Sequence, residues 1–173
     1  MLPYNINRDI LFDRDNLKEI YLAGGCFWGV DAYMERVKGV YSTESGYANG
    51  HKSGEVTYKE VCTGRTGHTE AVFVKYDPKI IDLENLLKEF FSIIDPTTLN
   101  RQAADIGTQY RTGVYFTNDE DEEIVKKFIE SIKDNYRSPI VTEVKSLENY
   151  CPAEEYHQKY LEKNPGGYCH IQF

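Results

Sequence analysis

Three kinds of residue in this 173-residue chain have types and surroundings suited to redox or acid–base chemistry. The first is a cysteine at a glycine corner, Gly25-Cys26-Phe27-Trp28-Gly29, which also holds the only tryptophan. Gly24 and Gly25 relieve the backbone there, so Cys26 is expected on or beside the first turn of a helix. Unpaired N–H groups and the positive end of the helix dipole favour a thiolate at such a point. Phe27 and Trp28 would form an apolar wall next to it. A cysteine beside a phenylalanine is also commonly a small buried hydrophobe, and spacing alone does not separate the two readings.

The second is Glu70, in Gly67-His68-Thr69-Glu70 at the head of an alternating segment. Glutamates are usually solvated, but this one shares a strand face with Val72 and Val74. Burial raises a carboxyl pKa and makes a proton donor near neutral pH. Tyr47 and Tyr110 lie in glycine-bearing loops, where a phenol on a rigid ring suits a polarised oxygen; with fourteen tyrosines in the chain, neither stands out unaided.

The third is Cys169, which follows Gly166-Gly167 near the C-terminus. A thiol on a tail that swings is suited to resolving an oxidised sulfur elsewhere. An incidental tail cysteine fits the same spacing. Cys62 reads as structural, and Cys151 stands before Pro152 at an expected helix start. None of the four cysteines forms a Cys-x-x-Cys pair, and the histidines at 51, 68, 157 and 170 lack metal-ligand spacing. Pairing Cys26 with His68 or His157 as a cysteine hydrolase stays open on composition. So does a metal- or peptide-binding module built on the tyrosine-rich loops.

The elements that must position these residues follow from periodicity. A strand is expected at 19–23, then a helix at about 27–37 with Val30, Met34 and Val37 on one side. A second strand runs from Val40 to Tyr47. The stretch His51 to Gly67 reads as a long loop, and Thr69 to Tyr76 as a strand with Glu70, Val72, Val74 and Tyr76 on one face. Leu83, Leu86, Leu87, Phe90 and Ile94 mark an amphipathic helix ended by Asp95-Pro96. A polar loop from Thr97 to Arg111 leads into the strand Thr112 to Phe116. Asn118 or Asp119 caps a helix carrying Ile124, Phe128 and Ile132. Ile140 to Val144 is the last strand expected, and Pro152 opens a helix closed by Asn164-Pro165-Gly166-Gly167. The order through residue 117 is β-α-β-β-α-β, an α+β, ferredoxin-like core with added helices, a further strand and a long C-terminal coil.

Length predicts one domain over 1–173, with residues 1–18 as a lead-in and 164–173 as a mobile tail. The net charge of −8 argues against a nucleic-acid partner. No apolar run approaches the roughly 18 residues of a membrane helix. With no secretion signal at the N-terminus, a cytoplasmic setting with reduced thiols is expected.

Five segments together strongly resemble the type A peptide methionine-S-sulfoxide reductase family. They are Gly25-Cys26-Phe27-Trp28-Gly29, Gly46-Tyr47-Ala48-Asn49-Gly50, Gly67-His68-Thr69-Glu70, Asp105-Ile106-Gly107-Thr108-Gln109-Tyr110-Arg111 and Pro152-Ala153-Glu154-Glu155-Tyr156-His157-Gln158. The similarity runs collinearly over about residues 19 to 170. It implies an enzyme that reduces methionine-S-sulfoxide, free or in oxidised proteins, without a metal or other cofactor. Cys26 would attack the sulfoxide sulfur as a thiolate, and protonated Glu70 would donate to the oxygen, which Tyr47 and Tyr110 would also bind. Phe27 and Trp28 would hold the methyl group, and Asp105 would order the polar side of the pocket. The resemblance further implies that Cys169 resolves a Cys26 sulfenic acid as a disulfide, which thioredoxin reduces; a monomer suits an accessible catalytic surface of this kind. Cys151 is a second thiol for that step. Ala103-Ala104 replaces the Gly-Asn often found ahead of the Asp105 motif.

Overall fold

Alternation in the segment around Glu70 sets the architecture. The structure, a computed structural model, describes all of residues 1–173. Strand β3 (Thr69–Tyr76) buries Glu70, Val72, Val74 and Tyr76 on one face, as period two requires. It lies in the middle of a six-stranded sheet of order β7-β6-β1-β3-β2-β8. The partners are β1 (Lys18–Ala23), β2 (Val40–Ala48), β6 (Gly113–Phe116), β7 (Glu143–Ser146) and β8 (Tyr150–Pro152). β3 pairs antiparallel with β1 and β2, and β1 pairs antiparallel with β6. That central β6-β1-β3-β2 order is the split βαβ arrangement expected from the element order. β7 extends it in parallel to β6, and β8 closes the far edge antiparallel to β2.

Helices α1 (Phe27–Glu35), α3 (Leu83–Phe91) and α4 (Asp119–Ile132) cover one face. Their buried side chains, Val30, Met34, Leu86, Leu87, Phe90, Val125 and Phe128 among them, meet Ile20, Leu22, Val72, Val74 and Val114 of the sheet. Burying each such side chain contributes about 1.5–3 kcal/mol. α4 turns Val125 and Phe128 inward and leaves Ile124 partly exposed, a one-residue rotation from the expected stripe. On the other face Tyr21, Phe73, Tyr115 and Tyr150 form a smaller aromatic cluster.

Three expectations are corrected. The long loop contains a helix, α2 (Tyr58–Cys62), opened by a capping box between Thr57 and Glu60. The last predicted strand moves to Glu143–Ser146, because the Val141 N–H is drawn to the Pro96 carbonyl at 2.8 Å. Finally, the segment after residue 150 is not a helix opened by Pro152. Tyr150–Pro152 is edge strand β8, residues Glu155–His157 make one 3-10 turn, and only Tyr160–Lys163 (α5) is helical. The free edge of β2 wins the competition for hydrogen bonds. Ala153 N–H donates to the Ser45 carbonyl at 2.9 Å, and the Gln158 amide then bonds both the N–H and the C=O of Ser45. Lys159 takes a left-handed φ of 52°, with its ammonium bonded to buried Asp31 at 2.9 Å and to Thr43.

In the polar loop before β6, a two-residue hairpin pairs β4 (Arg101–Gln102) with β5 (Asp105–Ile106). Ala103 sits at its turn with φ 51°, where glycine is favoured; the alanine costs about 1–2 kcal/mol.

Candidate active site

Strand register assembles the site. Leu22 of β1 pairs with Val72 of antiparallel β3, so Glu70, two residues earlier, lies level with the chain leaving β1 towards Cys26. Glu70 also pairs with Tyr47 of β2. Ala23 pairs with Gly113, which brings Tyr110 to the same edge. One edge of the sheet thus collects residues from four separate stretches of chain.

Cys26 is the N-cap of α1, reached through Gly25 at φ +83°. A side chain on Gly25 would meet Gln102 at 2.6 Å, so the corner needs glycine for both conformation and space. The thiol is only 8% exposed. Burial pushes its pKa well above the usual thiol range, and the nearby Glu70 carboxylate pushes it further; the Trp28 N–H of the first turn works the other way and loses. The helix end therefore does not supply a resting thiolate, contrary to the expectation from the corner alone. The resting state is a protonated thiol, and all four cysteines are free.

Glu70 is 1% exposed. Burial raises its pKa to about 8; the Phe27 N–H, which donates to Oε1 at 3.1 Å, opposes the shift, and Asp105 adds to it. Its Oε2 has no partner. At neutral pH the site therefore holds a neutral carboxylic acid with one free oxygen beside a buried thiol.

The aromatic wall divides into an inner and an outer part. Phe27 is buried in the core, its ring 5.7 Å from that of Tyr47 and 5.2 Å from His157. Half-buried Trp28 stacks on Tyr160 at 3.7 Å and 10°. Its indole N–H donates to His157 Nδ1 at 3.0 Å, which requires a neutral imidazole; burial holds the His157 pKa down accordingly. His157 and Tyr160 lie on the segment expected to be helical, so their contact with Trp28 was not legible from spacing.

The tyrosines are placed differently from the expectation. Tyr47 is fully buried and donates its hydroxyl to Glu154 Oε1 at 2.7 Å, which commits that proton away from any ligand. Tyr47 braces the pocket from behind. Tyr110 and Tyr58, the first residue of α2, are half-buried and lie near Glu70. Both phenols are raised above their usual range, first by burial, with Glu70 among the further causes in each. The signal for Tyr58 was present in the Thr57-to-Glu60 capping box, which places the tyrosine at a helix start.

The tail lies over the start of α1. Ile171 is buried in the core cluster, and His170 Nε2 is 3.3 Å from the Gly24 carbonyl. The Tyr168 hydroxyl donates to Asp105 Oδ2 at 3.1 Å. Cys169 sits against Gly29, one turn along α1 from Cys26, so close that a Cβ there would meet its sulfur at 3.0 Å. Cys151, by contrast, is buried and bonded towards the Val56 and Pro152 carbonyls. Cys62 is exposed on α2 beside Tyr58. His157 is engaged by Trp28, and neither it nor His68 hydrogen-bonds Cys26, as a cysteine hydrolase would need. No three His, Cys, Asp or Glu side chains converge as metal ligands, and no helix is long and apolar enough to cross a membrane.

Comparison with known proteins agrees with this geometry. The model of the family described as "Peptide methionine sulfoxide reductase" matches residues 18–173. The peptide methionine sulfoxide reductase MsrA of Clostridium botulinum (strain Okra / Type B1) is 59% identical over 155 residues, 90% of this chain and 98% of that protein. Among solved structures, reduced Mxr1 from Saccharomyces cerevisiae superposes with a TM-score of 0.88 at 38% identity, covering 98% of this chain and 99% of that one. Mxr1 in complex with Trx2 matches at a TM-score of 0.61 and 27% identity, covering 87% and 89%. With a neutral acid beside a buried thiol, and a family match over nine-tenths of its length, this chain belongs to the peptide methionine sulfoxide reductases and is an enzyme that reduces methionine sulfoxide.

Proposed function

We propose that Cys26 takes the oxygen of methionine-S-sulfoxide, free or in oxidised proteins, in a cycle closed by Cys169 and thioredoxin. The observation that carries this reading is the neutral Glu70, with its Oε2 unpartnered next to the buried Cys26 thiol. A sulfoxide sulfur is a poor electrophile until its oxygen is protonated, so acid and nucleophile must act on the same S–O unit. Glu70 gives its proton to the oxygen while the Cys26 sulfur attacks the sulfoxide sulfur. The thiol proton restores Glu70, the oxygen passes to Cys26, and methionine leaves. Two electrons move from the cysteine to the substrate, leaving a sulfenic acid. Neutrality of Glu70 serves both partners, because its ionised form would oppose charge on Cys26.

Tyr58 and Tyr110 supply phenolic donors on the oxygen side, and Trp28 forms the apolar wall for the methyl group. Asp105, held by Tyr168, orders the polar side. Cys169 then attacks the Cys26 sulfenic acid, forming the disulfide and releasing water. A thioredoxin dithiol returns both cysteines to thiols. The neighbour solved with Trx2 supports this choice of reductant.

Mass spectrometry after one equivalent of methionine-S-sulfoxide, without reductant, tests the scheme. The expected product is one Cys26–Cys169 disulfide with stoichiometric methionine. Cys169→Ser should still release one methionine, gain an oxygen atom on Cys26 and fail to cycle with thioredoxin. Sustained cycling by that variant would exclude Cys169 as the resolving thiol.

Gly29→Ala probes the approach of the tail. Alanine in a helix is favoured over glycine by about 1 kcal/mol, so the fold should be kept. The new methyl must displace Cys169 and Ile171, each of which it would meet at 3.0 Å. Methionine release in the first turnover should be unchanged, while the disulfide forms several-fold more slowly in quenched-flow mass spectra. An unaltered disulfide rate would show that the docked position is not the reacting one.

A further inference from the structure

Tyr58 follows an exposed stretch and lies near Glu70 and Tyr110. Residues 51–55 are exposed, and α2 is only five residues long. The capping box between Thr57 and Glu60 fixes the turn's shape but not its place on the sheet. Val56 and Val61 seat it in the core, and a carboxylate from the segment after β8 holds the Tyr58 backbone between them. Glu154 Oε2 accepts the Tyr58 N–H at 3.0 Å, and its Oε1 accepts the Tyr47 hydroxyl at 2.7 Å. Tyr47 is fully buried and pairs with Glu70 across β2 and β3. A single carboxylate therefore ties the backbone of Tyr58 to the strand that sits beside the proposed acid. Burial works against its charge, but the Tyr58 N–H, its own backbone N–H and the Tyr47 hydroxyl together hold its pKa below the usual carboxylate range. The bonds from Tyr58 and Tyr47 are charge-assisted, the strong class of protein hydrogen bond.

We propose that Glu154 is a positioning residue for the reduction: by clamping the Tyr58 backbone to Tyr47, it places the Tyr58 phenol against the sulfoxide oxygen. The inference rests on the reading of Tyr58 as an oxygen-side donor. Because charge grows on that oxygen only as the S–O bond reacts, a misplaced phenol should lower kcat and spare KM. A shift of about 1 Å in a catalytic group costs on the order of 100-fold.

A double-mutant cycle with Tyr58→Phe tests it, using the whole enzyme, methionine-S-sulfoxide and thioredoxin. Glu154→Ala and Tyr58→Phe should each lower kcat by roughly 10- to 100-fold with KM within about threefold. The double variant should be no slower than the slower single variant. Glu154→Gln should recover kcat to within about threefold of the parent, since its carbonyl can take the Tyr58 N–H and its amide can donate to the Tyr47 oxygen. If Glu154→Ala does not fold, Glu154→Asp replaces it in the cycle, because a carboxylate one methylene shorter cannot span both partners. Multiplying losses in the double variant, or a raised KM at unchanged kcat, would overturn the proposal. A Tyr58→Phe enzyme with the parent kcat would instead remove the donor reading of Tyr58, and the proposal with it.

Discussion

Exchanging Glu70 for Gln should cost roughly 100- to 10,000-fold in kcat/KM for methionine-S-sulfoxide, the usual range for one general acid. It should also stabilise the fold in alkaline solution. Glutamine keeps the shape and the bond from the Phe27 N–H but has no proton of useful acidity. In the parent enzyme the acid has a pKa of about 8, so its rate should fall about tenfold per pH unit above that value. The residual rate of the variant should lack this limb. An unchanged alkaline limb in Glu70→Gln would exclude Glu70 as the acid.

The stability change has the opposite sign, and linkage gives it. The folded-state pKa of about 8 exceeds the ordinary 4.5, so between those values the folded chain holds a proton that the unfolded chain has lost. Stability therefore falls as pH rises through this window and levels off above it. At 1.36 kcal/mol per unit, the full cost is on the order of 5 kcal/mol. Urea unfolding at pH 6 and pH 9 should show the parent losing much of this and Glu70→Gln losing much less. Equal losses in the two proteins would mean that Glu70 is not held neutral by burial.

Cys26→Ser should release no methionine, form no disulfide and leave thioredoxin unoxidised. In the proposed cycle the oxygen-accepting atom is the Cys26 sulfur, and a serine oxygen can neither be oxidised in that way nor exchanged for a disulfide. The change is close to isosteric at a site 8% exposed, and the Cys26 side chain makes no capping bond, so stability should change by no more than about 1 kcal/mol. Chromatography for methionine together with thermal unfolding checks both halves. Methionine formation by a folded Cys26→Ser enzyme would overturn the assignment of the nucleophile.

Much of the arrangement was legible in local pattern. Two glycines before Cys26 and the apolar spacing behind it mark a strand-to-helix corner. Period-two alternation puts Glu70 on the same face as Val72, Val74 and Tyr76, which burial bears out. Both are statements about neighbours in sequence, where backbone geometry leaves few choices. The segment after residue 150 shows where local pattern stops. Pro152 followed by Glu154 and Glu155 has the composition of a helix start, yet Ser45 lies across the edge of β2 with both backbone groups free to pair. Gln158 and Ala153 take those bonds, and the helix does not form.

The chain's sequence by itself determined the redox-capable corner, the βαββαβ core and the strand face on which the acid lies, because each follows from periodicity or turn chemistry within about a dozen residues. Tertiary structure alone decided that the Tyr47 hydroxyl is engaged within the fold, since its proton goes to Glu154, 107 positions away. It also decided that Cys26 rests as a thiol rather than a thiolate. The helix end is a local influence, but the burial that outweighs it exists only once distant strands have closed around the sulfur.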